Sequence, residues 1–66
     1  MDKQLFNAML KKRGITQAEF AERLGVTTMS LQNRLNGKVD WGLKEIKVAE
    51  SVLKLSEKEV RDIFFA

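Results

Sequence analysis

Apolar residues recur along this chain at spacings of three and four, and no alternating run is long enough for a strand, so the pattern predicts helices throughout. Five can be drawn. The first runs from about Lys3 to Arg13, with Leu5, Phe6, Met9 and Leu10 as its stripe. Lys11, Lys12 and Arg13 suit the negative end of its dipole, and Gly14 stops it. The second starts at Thr16, which with Glu19 forms a T-x-x-E capping box; Ile15 and Phe20 flank the box as a hydrophobic staple. Ala21 and Leu24 continue its stripe, and Gly25 ends it. The third starts near Thr27, with Val26 and Leu31 as staple, and ends at Asn36-Gly37. After a short loop from Lys38 to Trp41, the fourth runs from near Gly42 to about Lys54. Leu43, Ile46, Ala49, Val52 and Leu53 are assigned to its inner face, and Gly42 with Glu45 makes half a capping box. Ser56 and Glu59 open the fifth with a full box, Leu55 and Val60 staple it, and Val60, Ile63 and Phe64 face inward. Each such cap contributes on the order of 1 kcal/mol.

The stretch from Thr16 to Gly37 carries the most information. It reads as two short helices joined by a tight turn at Gly25. At 100° per residue, Leu31 and Leu35 of the second of these fall on one side. Thr28, Met29, Gln32, Asn33 and Asn36 form one continuous opposite face, and Arg34 lies on the flank of the apolar stripe. A polar face is ordinarily the wet side of a helix. Met29 is what singles this one out, because a flexible apolar residue in the middle of a wet face calls for something to cover it. The side chains suit base edges in a DNA major groove. Asn and Gln can pair with adenine in bidentate fashion, and a thioether or a Thr methyl can pack on the thymine methyl. Thr28, Met29, Gln32 and Asn33 are therefore the candidate base readers. Gln17, in the first turn of the preceding helix, could hold a phosphate with the free N–H groups there; Asn36 and Lys38 could hold another.

Composition narrows the alternatives. Sixty-six residues make one domain, near the lower limit for folding without a disulfide or metal, and there is no Cys or His. That excludes the usual zinc sites and Cys or His nucleophiles, and no cofactor or small-molecule ligand is expected. With no glycine-rich phosphate loop and no evident buried carboxylate pair, an enzyme is the least supported class. The apolar runs are too short to span a membrane, and the start lacks a signal-peptide core, so the expectation is a cytoplasmic protein. Net charge is +3, with residues 1–18 at +3 and residues 27–39 at +2. This places the positive charge at the end of the first helix and around the third, and a polyanion is expected on that side.

Gln17-Ala18-Glu19, Ala21, Gly25, Ser30-Leu31 and Asn36-Gly37-Lys38 resemble the helix-turn-helix of the lambdoid phage repressor and Cro family, part of the larger XRE-like group of bacterial regulators. The resemblance covers nearly the whole chain. It implies an all-α, compact five-helix, lambda-repressor-like domain over residues 1–66, with helices 2 and 3 as the helix-turn-helix, binding double-stranded operator DNA as a homodimer. It matches Gln17 to a phosphate anchor, Thr28, Met29 and Asn33 to base-reading positions with Gln32 beside them, and Thr27, Asn36 and Lys38 to backbone contacts. The chain departs from the pattern at Arg34, where many relatives bury an aliphatic residue; Arg34 is left for a phosphate or for a surface ion pair.

Phe64 and Phe65 are adjacent and cannot both face one core. Phe64 continues the Val60 stripe and Phe65 is left over, so a symmetric dimer is expected through the C-terminal helix and nearby loops, with Leu55, Phe64 and Phe65 at the interface. Trp41 fits either a core lid or that interface. The chain has no room for a sensing domain, so regulation is expected from occupancy of an operator that overlaps a promoter. Two alternatives use the same scaffold. One is an antitoxin that represses its own operon; the other is an anti-repressor module that contacts protein instead of DNA.

Overall fold

The computed structural model describes residues 1–65 and contains five helices: α1 (Lys3–Arg13), α2 (Gln17–Leu24), α3 (Thr28–Leu35), α4 (Leu43–Leu53) and α5 (Glu57–Phe64). No strand occurs among the described residues. The caps lie where the spacing predicts them. Thr16 accepts from the Glu19 N–H at 3.1 Å while Glu19 accepts from the Thr16 N–H at 3.0 Å, and Ser56 and Glu59 do the same for α5. In the half box, the Gly42 N–H donates to Glu45 at 2.9 Å. Asp2 adds a cap to α1, accepting from the Leu5 N–H at 3.0 Å.

Gly25 ends α2 at φ 81°, ψ 25°, a left-handed conformation that a Cβ would disfavour. Its N–H and that of Val26 return to carbonyls of α2, so the chain turns sharply and starts α3 at Thr27, whose hydroxyl accepts from the Ser30 N–H at 3.1 Å. Lys54, at the end of α4, takes the same left-handed conformation without being glycine.

All five helices share one core. Phe6 and Leu10 of α1, Phe20 and Ala21 of α2, Leu31 and Leu35 of α3, Ala49 and Leu53 of α4 and Ile63 of α5 are buried in it. Phe6 meets Phe20 edge-on at 5.1 Å between ring centroids, a favourable aromatic geometry. The close helix packing of α3 is with α2; α4 packs on α1, α2 and α5. This leaves one side of α3 turned outward.

Four expectations need correction. Leu43, assigned to the inner face of α4, is 74% exposed. It lies about 90° around the helix from the centre of the stripe made by Ile46, Ala49 and Leu53. Leu55, assigned to a dimer interface, is in the core, because its staple position before α5 folds it inward and its N–H bonds the Glu50 carbonyl at 3.0 Å. Phe64, assigned to the same interface, is half-buried and packs edge-on against Trp41 at 4.9 Å between centroids, with Phe6 also near. Trp41 is thus a lid over Phe6, Phe20 and Phe64.

The fourth correction concerns charge. The start of α1 reaches the end of α3, where the Lys3 ammonium donates to the Asn36 side chain at 2.9 Å. Its other end, about 16 Å away at 1.5 Å per residue, reaches the α4–α5 turn. There Arg13 Nε donates to the Leu53 carbonyl at 2.8 Å, and Lys12 and Arg13 lie close enough to Glu59 to favour its charge. The basic end of α1 and the end of α3 with its basic residues therefore lie at opposite ends of α1.

Candidate functional site

The outward side of α3 is a direct product of its spacing. Leu31 and Leu35, four apart, are fully or nearly fully buried, which turns Thr28, Met29 and Gln32 on the other side of the helix outward. Thr28 and Gln32 are exposed, Met29 is 74% exposed, and Asn33 is half-buried at the edge of the face. The four candidate base readers thus share one accessible surface. Asn33 is also held from behind, since its carbonyl accepts from the N–H groups of Lys38 at 2.9 Å and Val39 at 3.3 Å. Those bonds fold the loop after α3 back against its last turn.

The candidate phosphate residues divide. Lys38 is exposed beside this loop. Gln17 is half-buried, with its amide donating to Asn7 at 3.0 Å; that orients the side chain and leaves one of its two amide hydrogens and its carbonyl oxygen for another partner. Thr27 uses its oxygen as the cap acceptor and keeps its hydroxyl hydrogen. Asn36 accepts from Lys3, so an ammonium sits at the end of α3 that the linear sequence did not assign there. Neither α1 nor α3 has an acidic residue in its first turn, whereas α2, α4 and α5 all do. The positive end of the α3 dipole is therefore not offset by its own side chains.

Arg34 is a correction to the phosphate set. Its side chain is only 13% exposed and its guanidinium is taken up within the fold. Nε donates to Glu45 Oε1 at 3.1 Å and Nη2 to Oε2 at 2.8 Å, a bidentate pair. Nη1 donates to both the carbonyl at 3.0 Å and the hydroxyl oxygen of Ser30, one turn back on α3. Four of its five N–H groups are thus committed. The Arg34 hydrogen bonds hold the Glu45 carboxyl below its ordinary value, with the Gly42 N–H and the Arg34 charge helping and partial burial opposing.

A groove of about 250 Å³ lies between the α3–α4 loop and the end of α5, with Met1, Trp41, Phe64 and Phe65 among its walls. Phe65 at its rim is 64% exposed. Among the described residues, no cluster of three His, Cys, Asp or Glu is placed to hold a metal ion, and no helix is long and apolar enough to cross a membrane.

Residues 2–66 match a family described as "Protein of unknown function (DUF739)". The chain belongs to this family. No curated protein and no solved structure matches it. The DUF739 match spans all five helices, so the outward face of α3 and the elements that hold it both fall within the family's domain.

Several contacts that shape the face in this DUF739 member escaped the linear reading, which gave Glu45 only its capping role. Lys3, Asn7 and Glu45 act across 33, 10 and 11 residues of chain respectively, where periodicity is silent. Asp2 was also missed although its signal is local, an Asp just before the first helical stripe.

Proposed function

We propose that this chain is a sequence-specific DNA-binding transcriptional regulator of the Cro or repressor kind, which lays α3 in the major groove of a palindromic operator as a homodimer. The observation that carries this reading is the outward side of α3. Over buried Leu31 and Leu35 it presents Thr28, Gln32, Asn33 and a 74%-exposed Met29 on a short helix set off by the turn at Gly25. The α2–Gly25–α3 unit then serves as a helix-turn-helix. Thr28, Met29, Gln32 and Asn33 read base edges, by hydrogen-bond pattern for the amides and by methyl contact for Met29 and Thr28. Gln17, Thr27, Asn36 and Lys38 hold the sugar-phosphate backbone, and Lys3 joins them through its place beside Asn36.

The scale of the target favours a dimer. Successive major-groove faces on one side of the duplex are roughly 34 Å apart. A single molecule of 27 × 24 × 21 Å spans less than one such interval, which supports pairing two copies on one operator. Phe65, exposed at the end of α5, is the residue assigned to the pairing surface. The bound dimer acts by occupancy, covering a promoter that polymerase would otherwise use.

The deciding experiment is selection of duplexes from a random pool, followed by a salt titration on the recovered sequence. A palindrome bound with an affinity that falls steeply as salt rises is the expected result, since each neutralised phosphate adds about −0.9 to the log–log slope. Purified protein that retains no duplex at low ionic strength would reject the proposal in favour of a protein-binding role for the same face.

A further inference from the structure

The reading face has support on one side from close packing, where α3 lies against α2. On the side toward α4 the connection is a chain of hydrogen bonds. Ser30 accepts from Arg34 within α3, Arg34 pairs through both prongs with Glu45, and Glu45 accepts from the Gly42 N–H at the start of α4. Glu45 stands in the first turn of α4, a helix fixed in the interior by Ile46, Ala49 and Leu53. Arg34 directly follows Asn33 and lies two residues beyond Gln32, so any rotation of α3 that breaks the pair also turns those two amides.

We infer that Glu45, which lies outside the reading face, is a positioning residue that sets the rotation of α3 about its own axis and through it the base preference of Gln32 and Asn33. The inference rests on the proposed DNA reading. Its chemical basis is geometric: a planar guanidinium meeting a carboxylate through two parallel bonds resists twisting, where a single point contact would not. A glutamine at position 45 has the same shape but only one acceptor oxygen. Its amide N–H groups face the N–H groups of Arg34, and the remaining oxygen cannot serve Gly42 and both prongs together.

Glu45→Gln is compared with Glu59→Gln, which removes the same kind of capping carboxylate from α5, where Lys12 and Arg13 lie nearby but no arginine is hydrogen-bonded to it. The probes are the duplex that wild type selects from a random pool, its single-base variants, and a duplex of scrambled sequence. Glu45→Gln is expected to lose about tenfold in affinity for the selected duplex, comparable to the lower range for one bidentate base contact. Affinity for the scrambled duplex and the salt slope stay as in wild type, because no phosphate contact is touched. Glu59→Gln keeps the wild-type ratio of selected to scrambled binding. The double variant Arg34→Leu/Glu45→Leu keeps a packed contact without a directional one, and it is expected to lose the same preference even where Glu45→Gln is too unstable to measure. A wild-type ratio in Glu45→Gln, or in the double variant, would overturn the inference and leave DNA reading intact. A wild-type protein that prefers no duplex and shows no salt dependence would remove the proposed function itself, and the positioning role with it.

Discussion

Each end of α4 is held by an arginine from another helix, and the two arginines use different acceptors. At the start of α4, Arg34 of α3 meets the carboxylate of Glu45; at its end, Arg13 of α1 meets the backbone carbonyls of Leu53 at 2.8 Å and Lys54 at 3.4 Å. The first is an ion pair whose strength depends on the ionisation of one partner. The second needs no acid, and it donates to two of the carbonyls that a helix end leaves without an internal donor. The first also adjoins the outward face of α3, whereas the second lies some 16 Å away along α1. Similar tethering chemistry thus serves a surface in one place and a turn in the other, and substitutions can separate the two.

The largest effect is expected on binding. Asn33→Ala should cost about 1–3 kcal/mol of operator affinity and relax preference at one base position, as measured by competition with single-base variants. Folding stability should change little. At the Arg34 end, Glu45→Ala leaves a largely buried guanidinium without its carboxylate. It should lower unfolding free energy by about 1–2 kcal/mol in urea, between the values for exposed and fully buried pairs. At the Arg13 end, Arg13→Met should lower it by about 1 kcal/mol, the usual worth of such hydrogen bonds, with operator affinity unchanged. A fall in sequence preference for Arg13→Met would erase the distinction between the two ends.

Acid sharpens the contrast. Glu45 is held below its ordinary value of 4.5 by the Arg34 hydrogen bonds first, and Glu19 and Glu59 are held below it by their N-cap threonine and serine. A carboxyl with a lowered folded value contributes its stabilisation fully above the unfolded value. That contribution is lost as the pH falls through the folded one. The urea midpoint should therefore be insensitive to these groups above about pH 5 and decline below about pH 4.5. Glu45→Gln should show a shallower decline, and Arg13→Met the wild-type shape. The smallest effect on folding is expected from deleting the last two residues. Phe65 is 64% exposed, so the change should stay within about 0.5 kcal/mol. Operator binding should weaken if this residue pairs two copies, and equal affinity would reject that surface.

The helices were readable because their signals are local. T-x-x-E at Thr16, S-x-x-E at Ser56 and the glycines after α1 and α2 each act within one turn of chain, and each is satisfied where the spacing put it. The core stripe of α3 was readable for the same reason, and with it the residues that its burial turns outward. What the sequence hid is the set of contacts made across the fold. Arg34 has a flank position on any helical projection, but its partner lies beyond a loop in α4. Leu55 carried the signal of a staple and was still read as surface, because a residue beside a turn looks accessible until the turn folds it inward. Leu43 shows the opposite error, since spacing of three from Ile46 was enough to suggest burial when the stripe had already turned away. The charge pattern misled because Lys11, Lys12 and Arg13 close α1 at the end that reaches the α4–α5 turn, while only Lys3 at its start reaches α3.

The aromatic lid has a practical outcome. Trp41 is the only tryptophan in a chain without tyrosine, and its indole N–H donates to the Met1 sulfur at 3.0 Å while its ring rests against Phe64. The protein therefore carries a single intrinsic fluorophore at the junction of its amino terminus, its longest loop and its final helix. Emission at that one wavelength band reports melting of the interior, and quenching on association would report anything that settles over the neighbouring Phe65, with no label attached.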